Sequence, residues 1–201
     1  MQDNKLVAIL RGITPAEAPS HIEVLIEAGF RYIEIPLNSP GWQQSIPAAV
    51  RQFGGQAVIG AGTVLKGEQV DFLAQAGARL IVTPNTQPDV IRRAVRHGML
   101  VCTGCATATE AFNALEAGAD WLKIFPSNIF GPEYIRALKA VLPADVPVLA
   151  VGGVTPDSLA NYRRAGCAGA GLGSDLYRAG QDTGKTRENA LQFIDAWQNR
   201  D

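Results

Sequence analysis

Ala117-Gly118-Ala119-Asp120-Trp121-Leu122-Lys123-Ile124-Phe125-Pro126 joins a helix-ending Ala-Gly pair directly to an apolar run with one cation at its centre. Glycine just past a helix supplies a left-handed cap, and a short apolar run after it reads as a strand buried on both faces. The same succession appears at Ala28-Gly29 before Tyr32 to Ile35, at Ala76-Gly77 before Leu80 to Val82, and at His97-Gly98 before Met99 to Cys102. Ala165-Gly166 before Ala168 to Leu172 continues it. Three further runs, Leu6 to Arg11, Ala57 to Thr63 and Pro147 to Val151, complete a set of eight strands.

Helical segments follow these strands, starting near Pro15, Gly41, Gly67, Pro88, Thr107, Pro132 and Pro156, with a last one running toward Asp201. About 25 residues per strand-helix unit is close to the minimum for a (β/α)8 TIM barrel, so a single barrel domain over residues 1–201 is expected. An open doubly wound sheet would need fewer strands and an early phosphate-loop fingerprint. No GxGxxG occurs. Gly12-Ile13-Thr14-Pro15 after the first strand echoes Gly153-Val154-Thr155-Pro156 after the seventh. In both, threonine suits a helix N-cap with proline in the first turn, and Glu17 would complete a capping box for the first.

The chain has 201 residues, 47% of them hydrophobic, and a net charge of -1 with no basic run. That balance points away from nucleic acid and anionic membranes. No apolar stretch approaches the roughly 20 residues of a membrane span, and Met1 to Lys5 lacks a signal-peptide layout, so a cytoplasmic protein is expected. Cys102, Cys105 and Cys167 are an odd count, which argues against a disulfide framework. Cys102-Thr103-Gly104-Cys105 has redox or half-zinc-site spacing but no second such pair. The two histidines, His21 and His97, fall in separate helical stretches, so small residues filling a strand end explain the cysteines, and no metal or cofactor is expected.

Lys123 is the odd residue. An amine held in an apolar strand is costly to keep charged, so its pKa should fall and the free amine should attack carbonyls. The bland alternative is a stem packed on the sheet with its head in water. Barrel active sites form where strands end, and alternation puts Trp121, Lys123 and Phe125 on one face, as it does Tyr32 and Glu34. If both faces point inward, a lysine and a carboxylate share a largely apolar cavity. That pair suits imine chemistry, with the carboxylate shuttling protons. Glu34 also suits an ion pair with Arg11 or Lys123, which would hold both groups in the resting site. Gly152-Gly153 and Gly173-Ser174, after the last two strands, form a candidate phosphate cradle, since backbone N–H groups approach an anion only where side chains are absent.

Glu34-Ile35-Pro36-Leu37, Gly60 to Leu65, Thr83-Pro84, Lys123-Ile124-Phe125-Pro126 and Gly152-Gly153 together resemble the KDPG/KHG aldolase family, in order over nearly the whole chain. The resemblance implies a class I aldolase without cofactor, cleaving a phosphorylated 2-keto-3-deoxy sugar acid to pyruvate and glyceraldehyde 3-phosphate, and a homotrimer. It gives Lys123 the role of Schiff-base lysine and Glu34 that of general acid/base. It places Thr63, Pro84 and Phe125 around pyruvate, and Gly152, Gly153, Gly173 and Ser174 around phosphate. Two positions depart from the KDPG enzymes. Asn38 stands where they carry an arginine for the substrate carboxylate, leaving Arg11 to supply that cation. Val151 replaces a threonine that could contact the sugar chain, which implies a preference for the galacto over the gluco epimer. Rival readings are a phosphate-binding barrel isomerase or epimerase, a metal-dependent aldolase, and a barrel that binds a phosphorylated ligand without turnover.

Overall fold

A computed structural model describes residues 5–198. Eight parallel strands close into one barrel: β1 (Lys5–Ile9), β2 (Tyr32–Pro36), β3 (Val58–Gly62), β4 (Leu80–Val82), β5 (Leu100–Cys105), β6 (Trp121–Ile124), β7 (Val148–Val151) and β8 (Gly169–Leu172). Each strand pairs with its sequence neighbours, and β8 returns to β1 with Lys5 opposite Gly169 and Val7 opposite Gly171. Eight helices form the outer ring: α1 (Ala18–Ala28), α2 (Trp42–Phe53), α3 (Gly67–Gln75), α4 (Pro88–Arg96), α5 (Ala108–Glu116), α6 (Ser127–Lys139), α7 (Pro156–Arg164) and α8 (Thr183–Gln198). The expected (β/α)8 architecture is therefore present.

The helix ends show why the strand count could be read from the chain. Gly29, Gly77, Gly98, Gly118 and Gly166, the five glycines expected to close helices, all have positive φ. Burial separates two apolar layers. Outward strand residues such as Ile33, Ile59, Val101, Leu122 and Ala170 pack under the helices. Inward residues Val7, Ile9, Leu80, Val82, Cys102, Trp121, Leu149 and Val151 fill the barrel interior, joined by Tyr32, Val58 and Leu100. The Tyr32 and Trp121 rings meet edge to face at 4.9 Å. Tyr32, Val58, Leu80, Leu100 and Trp121, at the strand starts, plug the N-terminal half of the barrel.

Several local expectations are corrected. β1 stops at Ile9, so Arg11 lies in a turn rather than at a strand end, because Gly12 adopts φ 83° and the Ile13 N–H bonds back to the Leu10 carbonyl. β5 runs on to Cys105, which puts the CxxC segment inside a strand with its two cysteines on opposite faces. α1 begins at Ala18: the Glu17 carboxylate accepts from the Thr14 N–H and hydroxyl, so Thr14 donates where a cap would accept. Thr155 does cap α7, its oxygen accepting from the Ser158 N–H at 3.2 Å and its own N–H bonding to the Ser158 hydroxyl. α6 starts at Ser127 and is broken at Gly131 (φ 76°, ψ 168°), so only its second part begins at Pro132. Among the described residues no helix is long and apolar enough to cross a membrane.

Candidate active site

Above the plug, the inward alternation of β2 and β6 continues into two ionisable residues. Glu34 is 2% exposed and Lys123 is 7% exposed. Both line one pocket, walled by Ile9, Val82, Cys102, Leu149 and Val151 with Gly171 at its side. The expectation that Lys123 and Glu34 share an apolar cavity is thus met. Phe125 lies just past the end of β6 and is 41% exposed, with its ring centroid 4.9 Å from the Lys123 Nζ. A cation or amine over an aromatic face is held without being neutralised.

The glycines of the inner wall make room for these groups. A Cβ on Gly62 would collide with the Glu34 carboxylate, so the end of β3 must be bare for Glu34 to lie where it does. Gly104, register partner of Lys123, leaves similar space for the backbone of Pro84. Thr63, immediately after Gly62, has φ 57°, a conformation uncommon for a residue with a branched side chain and a feature that clusters at ligand sites.

Burial sets the charge state. Loss of water raises the Glu34 carboxyl to about 7, although the charges of Lys123 and Arg11 and a backbone hydrogen bond from Gly62 pull the other way. One of its oxygens, Oε2, is buried without a hydrogen-bond partner. Burial lowers the Lys123 amine, with Arg11 adding to the effect and Glu34 and Cys102 opposing it. Burial therefore shifts the Lys123 amine toward its free form, beside a carboxyl that titrates near neutrality and can give or take a proton.

The resting ion pair expected for Glu34 is not formed. Among the described residues no salt bridge joins it to Lys123 or Arg11. The Arg11 guanidinium instead donates to the Asn38 side-chain oxygen at 2.8 Å. Arg11, Thr63, Pro84 and Phe125 stand in the loops beyond the pocket, whereas Val151 is part of its wall.

Beside that wall β7 is followed by Gly152 (φ 99°) and Gly153 (φ 65°), two consecutive left-handed residues. They pack against the start of α6, where the Asn128 N–H bonds to the Gly152 carbonyl and a Cβ on Gly153 would lie 2.7 Å from the Asn128 Cβ. After β8, Gly173 begins a turn whose carbonyl accepts from the Leu176 and Tyr177 N–H groups. Ser174 is exposed, and Arg178 Nε donates to its carbonyl at 2.9 Å. The two glycine-bearing turns expected to cradle phosphate thus follow adjacent strands. Cys102, read from the sequence as a small residue filling a strand end, also lines the pocket. The signal for Cys102 was present in the alternation Leu100-Cys102-Gly104, once β5 is known to extend that far.

Both histidines lie on the helical ring. His21 Nδ1 is 3.0 Å from the Thr186 hydroxyl, and His97 Nε2 is 3.0 Å from Asp71. Among the described residues no group of three or more His, Cys, Asp or Glu side chains is arranged to hold a metal ion.

The family model for KDPG and KHG aldolase matches residues 1–189. The chain belongs to that family. Its KDPG/KHG relatives include 2-dehydro-3-deoxy-6-phosphogalactonate aldolase of Escherichia coli K12, 67% identical over 96% of this chain and 94% of that one. A probable 2-dehydro-3-deoxy-6-phosphogalactonate aldolase of Rhizobium meliloti is 47% identical over 97% of this chain and 92% of that one. A solved native KDPGal structure superposes with a TM-score of 0.96 at 65% identity, covering 98% of this chain and 96% of the other. Like the other KDPG/KHG members, the protein is an aldolase, a carbon–carbon lyase.

Proposed function

We propose that the protein is a class I aldolase that reversibly cleaves 2-dehydro-3-deoxy-6-phosphogalactonate to pyruvate and D-glyceraldehyde 3-phosphate, through a Schiff base on Lys123, in galactonate catabolism. The observation that carries the mechanism is the Lys123 amine, buried and lowered in pKa in one pocket with a Glu34 carboxyl raised to about 7. Similarity to the phosphogalactonate aldolases of E. coli and R. meliloti supports the substrate.

In this reading the Lys123 amine adds to the C2 ketone, and Glu34 relays protons as the carbinolamine loses water to give the iminium. The ionised Glu34 then accepts the C4 hydroxyl proton. The C3–C4 bond breaks, its electrons passing to the iminium to leave an enamine as glyceraldehyde 3-phosphate departs. Protonation at C3 and hydrolysis release pyruvate and restore the amine. Arg11 and Thr63 hold the carboxylate, Pro84 and Phe125 flank the pyruvate portion, and Gly152, Gly153, Gly173 and Ser174 receive the phosphate. Val151 places methyl groups in the pocket wall where a hydroxyl would reward one epimer, which favours the galacto substrate. No metal or cofactor takes part. The homotrimer and the cytoplasmic location belong to the same proposal, and exposed Phe72 and Phe112 on α3 and α5 are compatible with a subunit contact.

Borohydride reduction in the presence of pyruvate tests the chemistry. Peptide mapping should find the reduced adduct on Lys123, and Lys123→Ala should abolish it. An unmodified Lys123 would sink the class I mechanism. Steady-state rates on the two epimers test the substrate, with kcat/KM for the galacto epimer expected to be the larger.

A further inference from the structure

Asn38, in the turn after β2, has a polar side chain with a defined partner. Its side-chain oxygen accepts a hydrogen bond from Arg11 at 2.8 Å. Its two neighbours are anchored. The Leu37 N–H bonds to the Gly62 carbonyl at 2.8 Å, and the Ser39 N–H bonds to the Pro36 carbonyl at 2.9 Å. The buried Ser39 hydroxyl reaches back to the loop that carries Arg11, accepting from the Gly12 N–H at 2.9 Å and lying 3.5 Å from the Leu10 carbonyl. The backbone is therefore held on both sides of Arg11, and the guanidinium is held at its tip.

We propose that Asn38 is a positioning residue that aims the Arg11 guanidinium at the substrate carboxylate while leaving its full charge available. This deepens the reading of Arg11 given above and rests on it. The Arg11 charge is felt by both Glu34 and Lys123, which places the cation on the side of the pocket that holds them. Asn38 and Arg11 are both exposed, so without the bond the long arginine side chain would sample many rotamers in water. A carboxylate at position 38 would grip the guanidinium more firmly than an amide. It would also neutralise the cation and compete with the substrate for it. A neutral oxygen acceptor orients the guanidinium without either cost. The choice of asparagine thus has a chemical reason that a mere surface brace would lack.

Asn38→Asp separates the two roles. A brace is preserved or strengthened by aspartate, whereas a carboxylate-aiming device is damaged by it. The probe is pyruvate, which carries the carboxylate next to the reacting carbonyl and has no phosphate or sugar hydroxyls. The half-saturating pyruvate concentration for borohydride trapping on Lys123 is measured for the unsubstituted chain, Asn38→Ala and Asn38→Asp, together with thermal melting. For Asn38→Ala we expect it to rise roughly fivefold, and for Asn38→Asp at least as far, with melting unchanged or raised in the latter. On the full substrate KM should rise by a similar factor, while kcat changes less than about twofold. Trapping by Asn38→Asp at the unsubstituted concentration overturns the proposal and leaves the aldolase reading intact. Loss of the melting transition in both variants overturns it too, by making Asn38 structural. Absence of an adduct on the unsubstituted chain overturns the aldolase reading and this proposal with it.

Discussion

Glu34 carries a charge that its surroundings decide. The carboxyl ordinarily titrates near 4.5, and burial moves it to about 7 in the folded chain. Between those values the native protein holds a proton that the unfolded chain has released, so stability falls as pH rises through that window. The effect amounts to about 3 kcal/mol at most. Glu34→Gln should flatten this part of the stability curve, measured by denaturant unfolding from pH 5 to 8, and an unchanged slope would reject the shift. Lys123 acts in the opposite sense at higher pH: its lowered pKa makes stability recover as pH rises toward 10.5. Both residues were conspicuous in the sequence as ionisable groups inside apolar runs, although a snorkelling lysine and an ion-paired glutamate would each account for one of them alone. The lack of a contact ion pair between them was not legible. The separation of groups on different strands is set by the tilt and stagger of the closed barrel, which no local pattern encodes. The Arg11–Asn38 bond was hidden for the same reason.

At the scale of elements, the mouth is held where β6 hands over to α6. The fully buried Ser127 hydroxyl donates to the Ile124 carbonyl at 2.7 Å and accepts from the Val151 N–H at 3.0 Å. It links the lysine strand to the strand bearing Val151. Ser127→Ala leaves a buried N–H and a carbonyl short of partners, which costs about 2 kcal/mol. Thermal denaturation should show a midpoint lowered by roughly 5 °C, and a shift below about 1 °C would mean that β6 and β7 hold their spacing without it. Elements were legible where one residue type dictates the backbone, as at the glycine-closed helices. They were less so where side chains compete for the same groups. Glu17 takes both Thr14 donors and delays α1, and Gly131 breaks α6 because its extended, positive-φ backbone cannot continue a helix.

For the molecule as a whole, the three cysteines report on integrity rather than chemistry. Cys102, Cys105 and Cys167 are free and buried, and burial pushes each thiol up to about 12. A thiol reagent should find none of them in the native protein and all three together once the barrel opens, with labelling rates tracking unfolding. A fast single-thiol burst under native conditions would contradict that. The whole-molecule architecture was the most legible level, because eight strand-helix units of minimal length leave few alternatives. The CxxC spacing was the least informative motif, since strand alternation sends its two sulfurs to opposite faces. Pairing of β1 with β8, with Lys5 opposite Gly169, also bears on how the chain is made. On the ribosome the first strand is synthesised long before the last, so the nascent sheet carries an open edge until residues 169–172 emerge. A product that terminates earlier would keep that edge, leaving a template on which another incomplete chain can pair and aggregate.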